Sequence, residues 1–192
     1  MKHCSQKLGQ NEIDRAVQCL RHGGVIAYPT EAVFGFGCDP MNVDAISKIL
    51  QLKHRPISKG FILVASNWNQ LMNYVEPIEP KALTRVLASW PGPVTWTFPA
   101  NQKVPAWIRG EHNTVAVRVT DHPVAKALCS KFGSPIVSTS ANREGQPPIR
   151  EEKTVQMAFG KAVDMVVSGK VGDRIRPTEI RNAITGEVIR AG

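Results

Sequence analysis

The sequence predicts one α/β domain, or an α+β variant of it, built on a mixed sheet. Strand and helix patterns alternate along the whole chain, which is typical of a sheet covered by helices. The chain has 192 residues, 42% of them hydrophobic, and shows no internal repeat, low-complexity stretch or linker pattern. This length and composition support a single hydrophobic core. Two strand patterns close to the C-terminus, separated by a turn, add an antiparallel pair and make the sheet mixed.

The first two elements are a helix and a strand. Apolar residues repeat at helical spacing over residues 11–22, where Asn11 is a candidate N-cap and Gly23-Gly24 is a stop signal. A short apolar run over residues 25–28 then predicts a strand.

The second helix, predicted over residues 42–52, carries two cations at its end. Pro56 limits the length of this helix, because a proline and the residue before it disfavour the helical conformation. We therefore expect Lys53 and Arg55 at or just beyond the helix C-terminus.

The remaining elements follow the same alternation. Pro91-Gly92-Pro93 ends one helix, whereas Asp121 is a candidate cap for another that has Pro123 in its first turn. The further predicted strands are 61–65, 94–98, 115–119, 135–137, 165–167, 180–184 and 188–190, and the further predicted helices are 67–75, 80–90, 122–132 and 151–159.

Hydroxyl and amide side chains follow two of these strands. The strand at 135–137 runs into Ser138-Thr139-Ser140-Ala141-Asn142, and the strand at 25–28 runs into Pro29-Thr30-Glu31. In α/β sheets such groups meet in a crevice at the carboxyl ends of the strands. Together with Lys53 and Arg55 they indicate an anionic small-molecule ligand.

Other interpretations of these residues remain open. The hydroxyl-rich segment also suits an ordinary turn or helix cap, and the two cations suit a solvated helix end. Arg118 follows three apolar or small residues in a predicted strand, where a charge is costly to bury without an anionic partner. A carboxylate ligand is one candidate partner, and a structural partner such as Asp121 is the other.

Charge and composition narrow the classes of function. The net charge of +8 favours polyanionic partners such as nucleotide phosphates or nucleic acid, although the basic residues are dispersed. The four cysteines and five histidines have no metal-ligand spacing, so no protein-held metal is expected. Gly35-Phe36-Gly37 and Gly169-Lys170 do not complete a nucleotide-binding loop. With no apolar signal-peptide core and no membrane-span pattern, a cytoplasmic location is expected.

Five motifs in fixed order carry a resemblance to a known family. They are Pro29-Thr30-Glu31-Ala32-Val33-Phe34-Gly35, Lys53-His54-Arg55, Trp90-Pro91-Gly92-Pro93-Val94-Thr95, Val117-Arg118-Val119-Thr120-Asp121-His122-Pro123 and Ser138-Thr139-Ser140-Ala141-Asn142. The chain resembles the YrdC/TsaC family of threonylcarbamoyl-AMP synthases over nearly its whole length. The resemblance implies a single domain over residues 1–192 without the extra C-terminal domain of longer relatives. It also implies a twisted, mostly mixed open sheet, flanked by helices, with a central concave crevice.

The resemblance also implies a reaction and its site. L-threonine, bicarbonate and ATP, the last with Mg²⁺, would give threonylcarbamoyl-AMP and diphosphate. Partner proteins of a transferase complex would use the product to form N6-threonylcarbamoyladenosine (t6A) at position 37 of tRNA. By resemblance, the catalytic residues around the triphosphate are Lys53, Arg55, Ser140 and Asn142, with Thr114 and Arg190 also near the nucleotide. The threonine-binding residues implied in the same way are Thr30, Lys59, Arg118, Ser138 and Thr178.

A different class of function is the alternative. A non-catalytic double-stranded RNA-binding or ribosome-maturation factor would also be basic. A pocket lined by the predicted residues favours a nucleotide and an amino acid, whereas a shallow basic groove favours nucleic acid. Any RNA or tRNA binding by this chain is expected to be weak and electrostatic, because no base-reading motif is present.

Overall fold

One mixed, open sheet organises the chain in the computed structural model, which describes residues 2–192, with side chains from residue 11 onwards. The strands are β1 (Ile26–Pro29), β2 (Phe34–Gly37), β3 (Ile62–Ala65), β4 (Val94–Pro99), β5 (Thr114–Val119), β6 (Ile136–Ser140), β7 (Met165–Val166), β8 (Glu179–Asn182) and β9 (Val188–Arg190). The helices are α1 (Lys2–Arg21), α2 (Val43–Lys53), α3 (Pro80–Leu87), α4 (Ala106–Arg109), α5 (Pro123–Phe132) and α6 (Glu152–Phe159).

The strand order confirms the predicted mixed sheet. The order is β7-β1-β2-β6-β3-β5-β4-β8-β9. Strands β1 and β7, β3 and β5, and β4 and β8 pair in parallel, and the other neighbours pair antiparallel. Strands β8 and β9 form the predicted terminal hairpin. None of the described helices is both long and apolar enough to span a bilayer.

Helices cover the two faces of the sheet unequally. On one face, α2, α3 and α6 pack over a core that includes Leu63, Val117 and Val137. On the other face, α1 and α5 pack over Val64 and Ile136. Side chains two residues apart along a strand share a face. Ile62 and Ser138 therefore lie on the same face as Val64 and Ile136, and this part of the face lines an open crevice.

Three local predictions are wrong. Residues 67–75 do not form a helix, because Asn67 caps a single 3₁₀ turn over Trp68–Gln70. Asn11 does not cap α1, which already begins at Lys2. Asp121 does not cap α5 either, because His122 occupies the N-cap position and the Thr120 hydroxyl accepts its amide hydrogen at 3.1 Å.

Two elements were not predicted at all. Strand β2 has the sequence Phe-Gly-Phe-Gly, which is typical of a turn, yet all four residues are buried between β1 and β6. Helix α4 is a single turn of four residues, too short to produce a periodic pattern.

Candidate active site

A crevice of about 360 Å³ crosses the uncovered part of the sheet face. Its floor includes Ser138, Ile62, Ala116 and Thr97, which are register partners across β6, β3, β5 and β4. The prediction placed the site at the carboxyl ends of strands, and this is only partly right. Ser140 does lie at the end of β6, but most of the floor is the sheet face itself, which α1 and α5 leave open.

Nine of the eleven predicted site residues line this crevice. They are Thr30, Arg55, Lys59, Thr114, Arg118, Ser138, Ser140, Thr178 and Arg190. The two others, Lys53 and Asn142, lie behind the wall. The structure thus brings together residues from distant parts of the sequence. The order of the motifs along the chain does not show that these residues are neighbours in space.

The crevice is strongly cationic. Among the described residues that line it there are five lysine or arginine side chains and no carboxylate. These five residues are Arg55, Lys59, Arg109, Arg118 and Arg190. Such a concentration of cations in a concave site favours a multiply charged anion.

Lys53 is buried behind the wall of the crevice. Its side chain is 3% exposed, and Nζ donates to the carbonyl oxygens of Ser140 and of Asn142, the latter at 2.9 Å. Burial lowers the pKa of this ammonium group to about 8, and the positive charge of Arg55 contributes to the shift. Asn142 is held in the same turn, since its Oδ1 accepts the Ser140 hydroxyl at 2.5 Å and its Nδ2 donates to the Gln146 carbonyl oxygen at 2.6 Å.

Arg55 faces the crevice, although it is only two residues from Lys53. Between them His54 adopts the left-handed conformation, with φ of 51°, and so ends α2. Arg55 Nη2 donates to the Gly60 carbonyl oxygen at 2.7 Å, and the guanidinium lies 5.5 Å from the centre of the Phe61 ring. Burial lowers its pKa, and Glu144 partly offsets this effect.

Arg118 and Arg190 are linked through Thr178. The Thr178 hydroxyl accepts from Arg118 Nη1 at 2.8 Å, and its carbonyl oxygen accepts from Arg190 Nη2 at 2.9 Å. Burial, followed by the charge of Arg118, lowers the pKa of Arg190. An anion bound between these two guanidinium groups would relieve their mutual repulsion.

The structural partner of Arg118 is Glu31, not Asp121. Arg118 Nη2 lies 3.1 Å from Glu31 Oε2, and both side chains are buried. Asp121, the partner proposed from the sequence, is exposed. Glu31 belongs to the loop after β1, and three strands separate β1 from β5 in the sheet, so local spacing gives no sign of this contact.

Lys59 is also paired, at the mouth of the crevice. Its ammonium group forms an ion pair with Glu144, and both side chains are about half exposed. The contact with Lys59 lowers the pKa of Glu144. Among the described residues, Arg55, Arg109 and Arg190 are the lining cations that have no such carboxylate partner.

Some site residues were not predicted. Arg109 and His112, beside α4, line the crevice, but the sequence around them carries no motif. Thr95 lies in one of the five motifs, and its hydroxyl is within 3.4 Å of Arg118 Nη1 and 3.3 Å of the Thr178 hydroxyl. The alternating pattern of β4 could have indicated Thr95, because it places this buried threonine on the same face of the sheet as Arg118.

Comparison with known proteins places these features in a family. The profile of the Sua5_yciO_yrdC family, described as telomere recombination, matches residues 18–192. A threonylcarbamoyl-AMP synthase of Coxiella burnetii is 57% identical over 178 residues, which are 93% of this chain and 96% of that protein. A threonylcarbamoyl-AMP synthase of Vibrio cholerae is 50% identical over 182 residues, which are 94% of this chain and 97% of that protein.

Solved structures show the same fold. P. abyssi Sua5 in complex with L-threonine aligns with a TM-score of 0.85 and 28% identity over 90% of this chain and 51% of that chain. This chain therefore spans about half the length of that relative. E. coli YciO aligns with a TM-score of 0.81 and 25% identity, over 95% of this chain and 91% of that chain.

Proposed function

The chain belongs to the Sua5/YciO/YrdC family, and we propose on this basis that its crevice is the active site of a threonylcarbamoyl-AMP synthase. The reaction joins L-threonine, bicarbonate and ATP to give threonylcarbamoyl-AMP and diphosphate, for t6A formation at position 37 of tRNA. One observation carries the assignment of the site. Nine predicted residues from distant parts of the sequence converge on one cationic crevice, which no carboxylate lines among the described residues.

The chemistry requires positioning more than a protein nucleophile. The amine of threonine and bicarbonate form a carbamate with loss of water. A carbamate oxygen then attacks the α-phosphorus of ATP, and the bond from that phosphorus to the diphosphate breaks. The charge that develops on phosphate oxygens is stabilised by cations and hydrogen-bond donors held in place by the fold.

The cations divide between the two substrates in this proposal. Among the described residues, Arg55 and Arg190 have no carboxylate partner, so they suit the triphosphate, with Ser140 and Thr114 beside the nucleotide. Lys53 and Asn142 contribute indirectly, because they lie behind the crevice wall and hold the turn that carries Ser140.

The remaining predicted residues suit threonine. Arg118 is a candidate for its carboxylate, since a guanidinium binds a carboxylate through two parallel hydrogen bonds. The hydroxyl groups of Thr30, Ser138 and Thr178 lie in the same crevice and suit the polar groups of the amino acid. Lys59 takes part once its ion pair with Glu144 opens.

Mg²⁺ would enter with ATP. The lining offers the hydroxyls of Ser138, Thr139 and Ser140, but none of the described lining residues is a carboxylate, so this donor set fits an ion held largely by the phosphates. When bound, the ion neutralises part of the phosphate charge.

The partners and location follow from this function as further proposals. The product is a mixed anhydride and is expected to pass to other proteins of the t6A pathway. Contact with tRNA, if this chain makes it, is electrostatic. The cytoplasm is the proposed location, because tRNA is the final substrate.

Diphosphate release tests the proposal directly. The purified protein, with ATP, Mg²⁺ and bicarbonate, is expected to release diphosphate with L-threonine and much less with L-serine or L-valine. L-serine lacks the methyl group of threonine and L-valine lacks its hydroxyl. Equal release with all three amino acids, or none with threonine, would refute the assignment.

A further inference from the structure

A buried carboxylate lies directly behind the crevice. Glu31 is 5% exposed and does not line the cavity, but its Oε2 lies 3.1 Å from Arg118 Nη2, and Arg118 does line it. Its other oxygen, Oε1, accepts a hydrogen bond from the Thr120 hydroxyl at 2.6 Å. The carboxylate is thus fixed on one side and paired with the arginine on the other.

Stability alone gives a weak reason for this pair. The desolvation of two buried charges roughly cancels their attraction, so a buried ion pair contributes little net stability compared with apolar packing. The arrangement is better explained by what it does to the guanidinium group. Glu31 Oε2 forms an ion pair with Nη2 at 3.1 Å without hydrogen-bond geometry, while the hydroxyls of Thr178 and Thr95 accept from Nη1 at 2.8 and 3.4 Å.

At least one donor of this guanidinium group has no partner in the described part of the chain. Arg118 Nε is buried and has no hydrogen-bond partner among the described residues. Contacts at both terminal nitrogens restrict the rotation of this planar guanidinium, so its remaining N–H groups favour one orientation.

The backbone around Glu31 is also fixed. Gly172 donates to the Thr30 carbonyl oxygen at 3.0 Å, and Arg174 donates to that of Glu31 at 3.3 Å. A Cβ atom at Gly172 would lie 2.6 Å from the Glu31 carbonyl oxygen, so only glycine allows this close approach. The loop that leads to Thr178 therefore also holds Glu31 in place.

We propose that Glu31 is a positioning residue that orients Arg118 for the carboxylate of the amino-acid substrate, with Thr120 fixing Glu31 in turn. This inference rests on the proposed function. It predicts that loss of the Glu31 charge weakens amino-acid binding selectively, whereas a merely structural pair would affect both substrates and the fold alike.

Glu31→Gln is the main variant, because glutamine keeps the shape and still accepts from Thr120. We expect its KM for threonine to rise about 10- to 100-fold, the range for a lost interaction with a charged group. ATP affinity without threonine should stay within about twofold of wild type. An unchanged threonine KM, or a parallel loss of both affinities with a lower Tm, would overturn the proposal.

Thr120 provides a second, milder test should Glu31→Gln fail to fold. Thr120→Val removes the hydroxyl and keeps the ion pair, so threonine KM should rise by a smaller factor, and Thr120→Ser, which keeps the hydroxyl, should behave as wild type. Equal threonine KM values in the two variants would overturn the role of Thr120 as the support of Glu31.

A readout without turnover separates this proposal from the proposed function. In ¹⁵N NMR of the ligand-free protein, the Arg118 guanidinium, assigned by its absence in Arg118→Lys, should show restricted rotation that Glu31→Gln releases and Thr120→Val partly relieves. Restricted rotation that persists in both variants would overturn the inference. Failure of wild type to release diphosphate with threonine would instead refute the proposed function.

Discussion

Lys53 and Asn142 are joined twice, because Lys53 Nζ lies 2.9 Å from the carbonyl oxygen of Asn142 and 3.3 Å from its Oδ1. The same ammonium group also binds the carbonyl oxygen of Ser140. Lys53 therefore holds the turn after β6 from behind, whereas Arg55 lines the crevice on the other side of that turn. Two cations that are neighbours in the sequence have different physical tasks.

Substitution by alanine should separate these tasks. We expect Arg55→Ala to lower the rate of diphosphate release about 10- to 150-fold with little change in Tm, because a hydrogen bond to a charged group is worth about 1.5–3 kcal/mol. Lys53→Ala should lower both the rate and Tm, since it removes the ammonium group that binds the carbonyl oxygens of Ser140 and Asn142. Thermal melts measured together with the rates test whether Lys53 supports the fold and Arg55 does not. An equal loss of Tm in both variants would contradict this division.

The depressed pKa of Lys53 predicts a pH dependence. The ammonium group is charged below its pKa of about 8 and loses its proton as the pH rises through that value. ATP affinity should therefore fall above about pH 8. The measurement omits threonine and bicarbonate, whose own titrations would interfere. In Lys53→Arg, which stays charged, this loss should shift to higher pH, and an identical pH profile in both proteins would contradict the role of Lys53.

The contribution of Lys53 to fold stability should rise with pH above about 8, whereas ATP affinity should fall. The pKa of Lys53 is lowered from 10.5 to about 8 in the folded state, so the unfolded state binds more protons between these values. The contribution of Lys53 to the free energy of unfolding therefore rises with pH across this window. Denaturant unfolding of wild type and Lys53→Met at several pH values isolates this contribution, because the methionine variant lacks it.

Nine of the eleven residues predicted for the site line the crevice, but their arrangement could not be predicted from the sequence. Alternation of strands and helices, with a terminal hairpin, was enough to predict a mixed sheet. The resemblance to the family was enough to name nine residues that line the crevice. The Glu31–Arg118 pair joins the loop after β1 to strand β5, far apart in sequence, and no periodic pattern encodes such a contact. Arg55 faces the crevice after the left-handed residue His54, a conformation that is uncommon for a residue other than glycine.

The ion pair between Lys59 and Glu144 predicts a variant that binds ATP more tightly. Glu144 places a negative charge at the mouth of the crevice proposed to bind ATP, and it pairs with the ammonium group of Lys59. Glu144→Gln should therefore tighten ATP binding about two- to fivefold at low salt, with less effect at high salt because exposed charges are screened. Glu79→Gln, at an exposed position that does not line the crevice, is the matched control. Weaker binding in Glu144→Gln would show instead that Glu144 supports the site.

Dispersed charge predicts the character of any RNA binding. The chain has a net charge of +8, but its sequence contains no basic run beyond two residues and no base-reading motif. Affinity for tRNA or double-stranded RNA should fall steeply with salt and vary little with sequence. Filter binding at several salt concentrations tests this, and sequence-selective binding that survives about 0.5 M salt would favour an RNA-binding factor instead.

Arg118→Lys tests the assignment of the amino-acid site. Lysine keeps the positive charge and can still pair with Glu31, but it cannot at the same time hold Thr178 and offer a planar edge to a carboxylate. We expect KM for threonine to rise at least about 10-fold, while ATP affinity without threonine changes little. Arg181→Lys is the matched control, because Arg181 pairs with Glu179 on the same sheet and does not line the crevice. Since the buried charge pair is retained, Tm should fall only modestly. A strongly destabilised Arg118→Lys protein with an unchanged threonine KM would remove Arg118 from the substrate site and leave the Glu31 pair a purely structural contact.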